Sequence, residues 1–184
     1  MLTSNGLSSP RLRMKFAGLL EGKINEKQVL VIHTAQKTEH LQYVSEVGNE
    51  LAKAGILHPN ITYLNISSHA DGALFSKYDI LYVCGGNTYF ILDRLRKTGL
   101  VNKIKYHVKS GKVYVGVSAG SIIPGPDISI AGWGSEGDPN DISLRNLEGL
   151  HFTNISIFPH YKAKLKKEVQ EFEGTVKYPV MTLS

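Results

Sequence analysis

The stretch Lys112-Val113-Tyr114-Val115-Gly116-Val117-Ser118-Ala119-Gly120 decides the fold class and the place where chemistry is expected. Its apolar first half predicts a short buried strand, and the pattern Gly-x-Ser-x-Gly follows at the strand end. A strand that turns sharply into a helix leaves room only for small residues beside the serine, whose hydroxyl then stands at the carboxyl edge of a sheet. The next amide, that of Ala119, can face a developing oxyanion. The pattern is typical of a serine nucleophile, although a plain strand turn also produces it.

Short apolar runs alternate with helical segments through the rest of the chain. We predict strands over residues 28–33, 60–64, 79–84, 112–117, 155–158 and 177–183. Apolar residues at helical spacing predict helices over residues 38–54, 89–99 and 101–109. Apolar strands separated by helices predict a mostly parallel sheet covered on both faces, which is a three-layer α/β sandwich. Residues 124–150 are rich in Gly, Pro, Asp and Asn, and we expect a long loop there.

The composition is that of an ordinary globular domain, and it narrows the function classes. The 184 residues suit a single domain over 1–184. Residues 1–6 begin inside what should be a first strand and Ser184 falls in or just after the last one, so we expect truncation at one or both ends. The net charge of +5 includes no basic cluster interleaved with aromatics, so nucleic acid is not an expected partner. One cysteine excludes an internal disulfide, and neither a signal peptide nor a membrane-spanning run is present. We expect a cytoplasmic monomer or homodimer with no membrane partner.

Four strand ends carry residues suited to catalysis, and in a parallel sheet they point to one edge. They are residues 3–6, 85–88, 118–120 and 159–161. His160 offers an imidazole whose ordinary pKa suits a general base, while Gly85 and Gly86 offer amides that a substrate can approach closely. His33, also at a strand end, competes with His160 for the role of base, and either histidine could be merely structural. Cys84 lies within a predicted strand and is expected to be a core thiol.

A carboxylate is needed to orient the histidine, and spacing alone does not choose one. The long loop carries the candidates Asp127, Glu136, Asp138 and Asp141. The sequence contains no His-Glu-x-x-His or Cys-x-x-Cys metal motif, no phosphate-binding loop and no dinucleotide-binding motif. We therefore expect neither a metal nor a cofactor.

Taken together, three motifs resemble those of the S51 serine peptidases, the family of dipeptidase E and the cyanophycinases. They are Gly85-Gly86-Asn87-Thr88, Gly116-Val117-Ser118-Ala119-Gly120 and Pro159-His160-Tyr161, and the similarity covers nearly the whole chain. The resemblance implies a class I glutamine amidotransferase-like (flavodoxin-like) fold. It further implies that Ser118 is the nucleophile, that His160 is the base and that Gly86 and Ala119 form the oxyanion hole.

The resemblance also ranks the acids and suggests substrate contacts. Asn140-Asp141 resembles the pair that carries the acid in dipeptidase E, which favours Asp141. The distance back from the histidine instead selects Asp138, and Glu136 is third. The loop departs from dipeptidase E by an added segment, residues 131–134, on the serine side. Substrate contacts are expected from Gly85, Asn87 and Thr88.

These observations predict a serine peptidase that hydrolyses short peptides through an acyl-enzyme. A preference for Asp-X dipeptides is an expectation carried by the family. Two alternatives remain open at this point. One is an esterase of the α/β-hydrolase type, which shares the serine motif but lacks here an HGGG-type segment. The other is a catalytically inactive binding domain on the same fold.

Overall fold

Strands and helices alternate along the chain as the sequence predicts. The computed structural model describes residues 1–34, 38–67 and 75–184, and it describes residues 38–41 by their backbone alone. The strands are β1 (Leu2–Thr3), β2 (Val29–His33), β3 (Ile61–Asn65), β4 (Ile80–Val83), β5 (Val113–Val117), β6 (Ser156–Phe158) and β7 (Val180–Thr182). The helices are α1 (Pro10–Ala17), α2 (Thr38–Lys53), α3 (Thr88–Lys97), α4 (Leu100–Lys109), α5 (Ala119–Ile122) and α6 (Lys166–Glu173).

The central sheet has five parallel strands in the order β1-β5-β4-β2-β3. All of its carboxyl ends therefore face one edge, where α/β proteins place their ligands. The register sets Val83 beside Gly116, so Gly85 is level with Ser118 across the β4–β5 pair. The predicted convergence of strand ends follows directly from this order.

Helices cover both faces of the sheet, because alternate strand residues point to opposite sides. Val29 and Val31 of β2 pack with residues of α1 and α2, including Phe16 and Leu51. Leu30 and Ile32, their neighbours in β2, pack instead with residues of α3, α4 and α5. The predicted three-layer α/β arrangement with a mostly parallel sheet is therefore confirmed.

The last two strands form a small parallel sheet of their own, β6 beside β7. Strand β7 begins at Val180, later than predicted, after Pro179, which has no backbone N–H to donate to a ladder. The predicted loop 124–150 is irregular apart from a 3₁₀ turn at Ser129–Gly132 and an isolated bridge between Asp127 and Glu148. No helix of the described part of the chain is long and apolar enough to cross a bilayer.

Candidate active site

The turn at Ser118 is tight and its backbone is strained. Ser118 has φ 51° and ψ −113°, which non-glycine residues rarely adopt, and its amide donates to the carbonyl of Thr3 at 2.9 Å. A Cβ on Gly116 would lie 2.1 Å from the carbonyl oxygen of Gly120, and one on Gly120 would lie 2.3 Å from that of Val83. Both positions of the motif thus require glycine because any side chain would collide with a backbone carbonyl oxygen.

A buried serine ties this turn to β1. The Ser121 hydroxyl accepts from the Thr3 amide at 2.9 Å and lies 2.8 and 2.7 Å from the carbonyls of Thr3 and Gly116. Ser121 has no exposed surface, so these bonds are sheltered from water. The sequence pattern did not single it out, and its position three residues before the loop carries no signal of its own.

His160 lies directly against the serine. Its Nε2 is 2.8 Å from Ser118 Oγ. His160 also has a positive φ of 56°, and its amide donates to Ser4 Oγ at 3.0 Å. The Ser4 hydroxyl in turn donates to the carbonyl of Leu183 at 2.9 Å. Residues from both ends of the chain therefore hold the backbone of His160 in its strained conformation.

The other histidine and the cysteine near the site are less suited to proton transfer or attack. His33 lines the same cavity as Ser118, but burial lowers its pKa, and the serine is paired with His160. Cys84 is buried, and burial raises the pKa of its thiol to about 12. A thiol with this pKa remains protonated at neutral pH and is a poor nucleophile.

The two residues expected to form the oxyanion hole flank the serine. Gly85 is so close that a Cβ there would lie 3.2 Å from the Cβ of Ser118, and Gly86 has φ 140°. Ala119 begins α5 directly after the serine. Among the described residues, the amides of Gly86 and Ala119 donate to no protein acceptor. Both are thus available to an oxygen bound beside Ser118.

Asn87 and Thr88, expected to contact substrate, already have partners inside the protein. Asn87 caps α3 by accepting from the Phe90 amide at 2.9 Å, and it donates to the carbonyl of Pro139 at 2.7 Å. Thr88 is fully buried, and its amide and hydroxyl donate to Asp138 at 2.8 and 2.6 Å. These bonds fix the loop that carries Gly85 and Gly86, and substrate contact by the two side chains stays a prediction.

Of the four candidate acids, Asp127 accepts hydrogen bonds from Ser129 and Tyr178, and the three that the resemblance ranks occupy different surroundings. Asp138 accepts from Thr88, as described above, and Glu136 pairs with Lys164 at 2.6 Å and Lys162 at 3.2 Å. Asp141 is exposed and lines the same cavity as Ser118 and His160. None of the three accepts a hydrogen bond from the His160 ring in this structure, in which all three are described.

Ser118 and His160 both line each of two cavities. The larger has a volume of about 760 Å³ and reaches along α2 to Tyr43, Glu46 and Glu50. The smaller, about 310 Å³, is walled by apolar side chains such as Trp133 and Leu165 and also by Glu136 and Asp138. A chain crossing the pair could place a residue in each cavity.

The α2 wall of the larger cavity was missed by the sequence analysis. Tyr43, Glu46 and Glu50 stand at helical spacing on a helix whose polar face is expected to face solvent, so no pattern distinguishes them from surface residues. Within residues 1–34, 38–67 and 75–184, no group of three or more His, Cys, Asp or Glu side chains is arranged to hold a metal ion.

Comparisons with known proteins agree on one family. The family model described as peptidase family S51 matches residues 1–182. An uncharacterized peptidase of Listeria monocytogenes is 31% identical over 170 residues, which are 87% of this chain and 81% of that protein. Peptidase E of Salmonella newport is 34% identical over 71% of this chain, which spans 57% of that longer protein.

A solved structure is similar over the whole chain. It is a crystal structure of a Listeria monocytogenes protein provisionally named peptidase E, with 28% identity and a TM-score of 0.79. The match covers 100% of this chain and 88% of that chain. That neighbour has a class I glutamine amidotransferase-like fold, so the fold expectation is confirmed.

Proposed function

The chain belongs to peptidase family S51 and is a serine peptidase, and from this premise we propose that it hydrolyses short peptides through Ser118 and His160. The observation that carries the proposal is the 2.8 Å contact between His160 Nε2 and Ser118 Oγ. Each of the two residues has a positive φ and is held in a strained conformation after its own strand. The Gly-x-Ser-x-Gly turn then serves as a nucleophile elbow.

The first half of the reaction forms an acyl-enzyme. For His160 to act as base, Nε2 must be unprotonated and accept the serine hydrogen, so the ring carries its own hydrogen on Nδ1. Ser118 Oγ attacks the scissile carbonyl as the proton moves to Nε2. The imidazolium then gives that proton to the leaving amine, and the peptide C–N bond breaks.

The second half returns the enzyme to its starting state. Water attacks the acyl-enzyme, with His160 again taking the proton and passing it back to Ser118. In both halves the carbonyl oxygen becomes negative beside the amides of Gly86 and Ala119. Removal of one donor from such a hole slows catalysis by roughly 10²–10³-fold.

Asp141 remains our proposed acid for orienting His160. Support comes from its place in the same cavity as the pair, and its carboxylate has no hydrogen-bond or ion-pair partner elsewhere in the described residues. Asp138 and Glu136 are the alternatives, each with partners of its own. Comparison of Asp141→Asn, Asp138→Asn and Glu136→Gln tests the ranking. Substitution of the acid that orients His160 should lower kcat by about 10⁴-fold. The largest loss at another position would overturn the assignment to Asp141.

A fluorophosphonate probe and a dipeptide panel test the whole proposal. We expect Ser118→Ala to abolish labelling and to lower kcat by roughly 10⁴–10⁶-fold, because the members of such a site act as a unit. Ser45→Ala, at an exposed position on α2, is the matched control and should behave as the unmodified protein. Labelling that persists in Ser118→Ala would refute the mechanism. A protein that never labels would favour the inactive binding domain.

The same panel tests two finer alternatives. An Asp-X preference is an expectation drawn from the family, and it requires Asp-Leu to be cleaved faster than Ala-Leu. Hydrolysis of p-nitrophenyl esters without hydrolysis of any peptide would favour the esterase. The large cavity, at about 760 Å³, has room for a dipeptide.

A further inference from the structure

The larger cavity has an acidic wall that the proposed reaction does not use. We call it the acidic arm and define it by Tyr43, Glu46, Glu50 and Tyr82, which all line the cavity together with Ser118. Tyr43, Glu46 and Glu50 are three and four residues apart on α2 and therefore share one face of the helix. Tyr82 faces them from β4.

The charged side chains that line this cavity are acidic. Its described lining includes the carboxylates of Glu46, Glu50 and Asp141, and it includes no lysine or arginine. Burial lowers the pKa of His33, which keeps that imidazole neutral at pH 7. Arg13 and Lys53 act on Glu50 from outside the lining. A ligand that enters the arm therefore meets carboxylates with few compensating cations.

A buried hydroxyl in the arm also lacks a partner. Tyr82 is fully buried, and its Oη forms no hydrogen bond in the protein. Glu50 Oε2 accepts from the Leu7 amide at 2.8 Å. A Cβ on Gly6 would lie 2.5 Å from Tyr82 Oη and 2.7 Å from Glu50 Oε2, so the two oxygens approach the same point. An unsatisfied buried hydroxyl destabilises the protein, and a donor or acceptor supplied by a ligand removes that cost.

The depth of the arm decides which group of a substrate could reach it. The Cα of Tyr82 lies three residues before that of Gly85, the residue level with Ser118, while its Oη reaches the loop after β1, beside Gly6 and Glu50 Oε2. The α-amino nitrogen of a substrate is separated from its carbonyl carbon by one atom and stays near Ser118. A lysine or arginine side chain extends several ångströms farther from the reacting carbonyl and is the part of a substrate that we expect to enter the arm.

We propose that the acidic arm binds the basic side chain of a substrate residue next to the scissile bond, so that peptides with Lys or Arg there are preferred. This inference rests on the proposed function, because it assumes that the substrate is bound at Ser118. The carboxylates of Glu46 and Glu50 supply charge-assisted acceptors, and the hydroxyl of Tyr82 supplies a further one. An acidic side chain at the same place would meet like charge and is disfavoured.

Matched dipeptides test the preference. The panel compares Lys-Leu with norleucyl-leucine, which has a side chain of similar length without charge, and with Asp-Leu. We expect kcat/KM for Lys-Leu to exceed that for norleucyl-leucine by about ten-fold or more. Equal values for the two, or faster cleavage of Asp-Leu, would overturn the proposal. Nα-acetylation of both dipeptides separates the two possible cations, because the α-ammonium group is common to them. Equal kcat/KM values for the free dipeptides together with a large loss for both on acetylation would assign the arm to the α-ammonium group instead.

Variants on α2 test which residues are responsible. Glu46→Gln and Glu50→Gln should raise KM for Lys-Leu by about ten-fold more than they raise KM for norleucyl-leucine. Glutamine keeps an oxygen for the Leu7 amide, so Glu50→Gln should still fold. Glu46 is exposed and provides the safer variant. Glu171→Gln, which changes an exposed carboxylate on α6, is the matched control. A loss that affects both dipeptides equally would indicate a merely structural role.

Fluorophosphonate labelling distinguishes failure of this inference from failure of the proposed function. Normal labelling of Ser118 with no selectivity for Lys-Leu would refute the acidic arm as a cation site and leave the peptidase mechanism intact. Absence of both labelling and hydrolysis would refute both.

Discussion

Ser118 and His160 are each held in a conformation that costs free energy on its own. Residues other than glycine at positive φ carry about 1–3 kcal/mol of strain, which persists only where neighbouring contacts impose it. Here the Ser118 amide is held by Thr3 and the His160 amide by Ser4, both just after β1 or within it. The first few residues of the chain thus position both members of the proposed pair.

Substitution of the motif glycines should be costly because of the space around them. In Gly120→Ala the new Cβ would meet the carbonyl oxygen of Val83 at 2.3 Å, and backbone atoms cannot move aside cheaply. We expect a loss of about 3 kcal/mol in the free energy of unfolding, measured in urea, together with loss of fluorophosphonate labelling.

The control is Gly18→Ala at the end of α1, where φ is −68° and a Cβ would make only ordinary contacts from 3.5 Å outward. It should be neutral or slightly stabilising. Unchanged stability in Gly120→Ala would show that the turn can relax, contrary to the close packing described here.

The apolar runs before Ser118 and His160 predicted that both lie at one sheet edge, but His33 also follows such a run, and the resemblance to S51 peptidases was needed to favour His160 as the base. It could not choose the acid, since Glu136, Asp138 and Asp141 lie in a loop without periodicity, and their partners are set by distant residues. Thr88 and Lys164, for example, hold two of these acids from other elements. Such long-range pairing leaves no local pattern.

At the scale of elements, the sheet was predictable and the lining of the cavity was not. Continuous apolar runs in the sequence predicted the ends of β2, β4 and β5 to within a residue or two. The face of α2 that lines the cavity carries Tyr43, Glu46 and Glu50, which a helical pattern assigns to solvent. Only the tertiary structure shows whether a polar helix face is exposed to solvent or lines a cavity.

Helix α4 joins β5 through a buried histidine that should make stability depend on pH. His107 Nε2 lies 3.1 Å from the carbonyl of Val113, while its Nδ1 is buried with no partner in the described structure. Burial lowers the pKa of His107, and the nearby Lys112 adds to this. The folded state therefore binds fewer protons than the unfolded state, whose histidine titrates near pH 6.5.

Stability should accordingly fall as the pH drops below about 6.5, by up to roughly 1.4 kcal/mol per pH unit from this residue. Urea unfolding between pH 5 and 8 measures the slope. In His107→Gln the slope should be smaller, whereas His58→Gln, at an exposed position, should keep it. The same slope in both variants would show that other groups cause the pH dependence.

At the scale of the whole molecule, the site joins the two ends of the chain. Ser4 follows β1, His160 follows β6, and Leu183 follows β7, yet one serine hydroxyl links all three. The amide of Tyr161 also donates to the Leu183 carbonyl at 2.8 Å. The small β6–β7 sheet is thereby fixed to the central sheet at the point where chemistry is proposed.

Ser4→Ala should release the backbone of His160 with little effect elsewhere. We expect labelling of Ser118 by a fluorophosphonate to slow by about ten-fold, since positioning contributes strongly to such reactions. The free energy of unfolding should fall by only about 1 kcal/mol, the usual value of one hydrogen bond. Ser8→Ala, which alters an exposed serine nearby, should label at the normal rate. An unaltered rate in Ser4→Ala would mean that the histidine needs no such anchor.

The hydrogen bonds that link His160 to Leu183 can form only late in the synthesis of the chain. Ribosomes make the chain from residue 1 onward, so Ser118 and His160 both exist before the carbonyl that helps to fix the histidine. A chain that ends at residue 179 contains the pair but lacks β7, and we expect it to react with a fluorophosphonate far more slowly than the chain of 184 residues. Equal rates would contradict this view. The proposed activity is then expected only after residues 180–183 have been made and β7 has paired with β6.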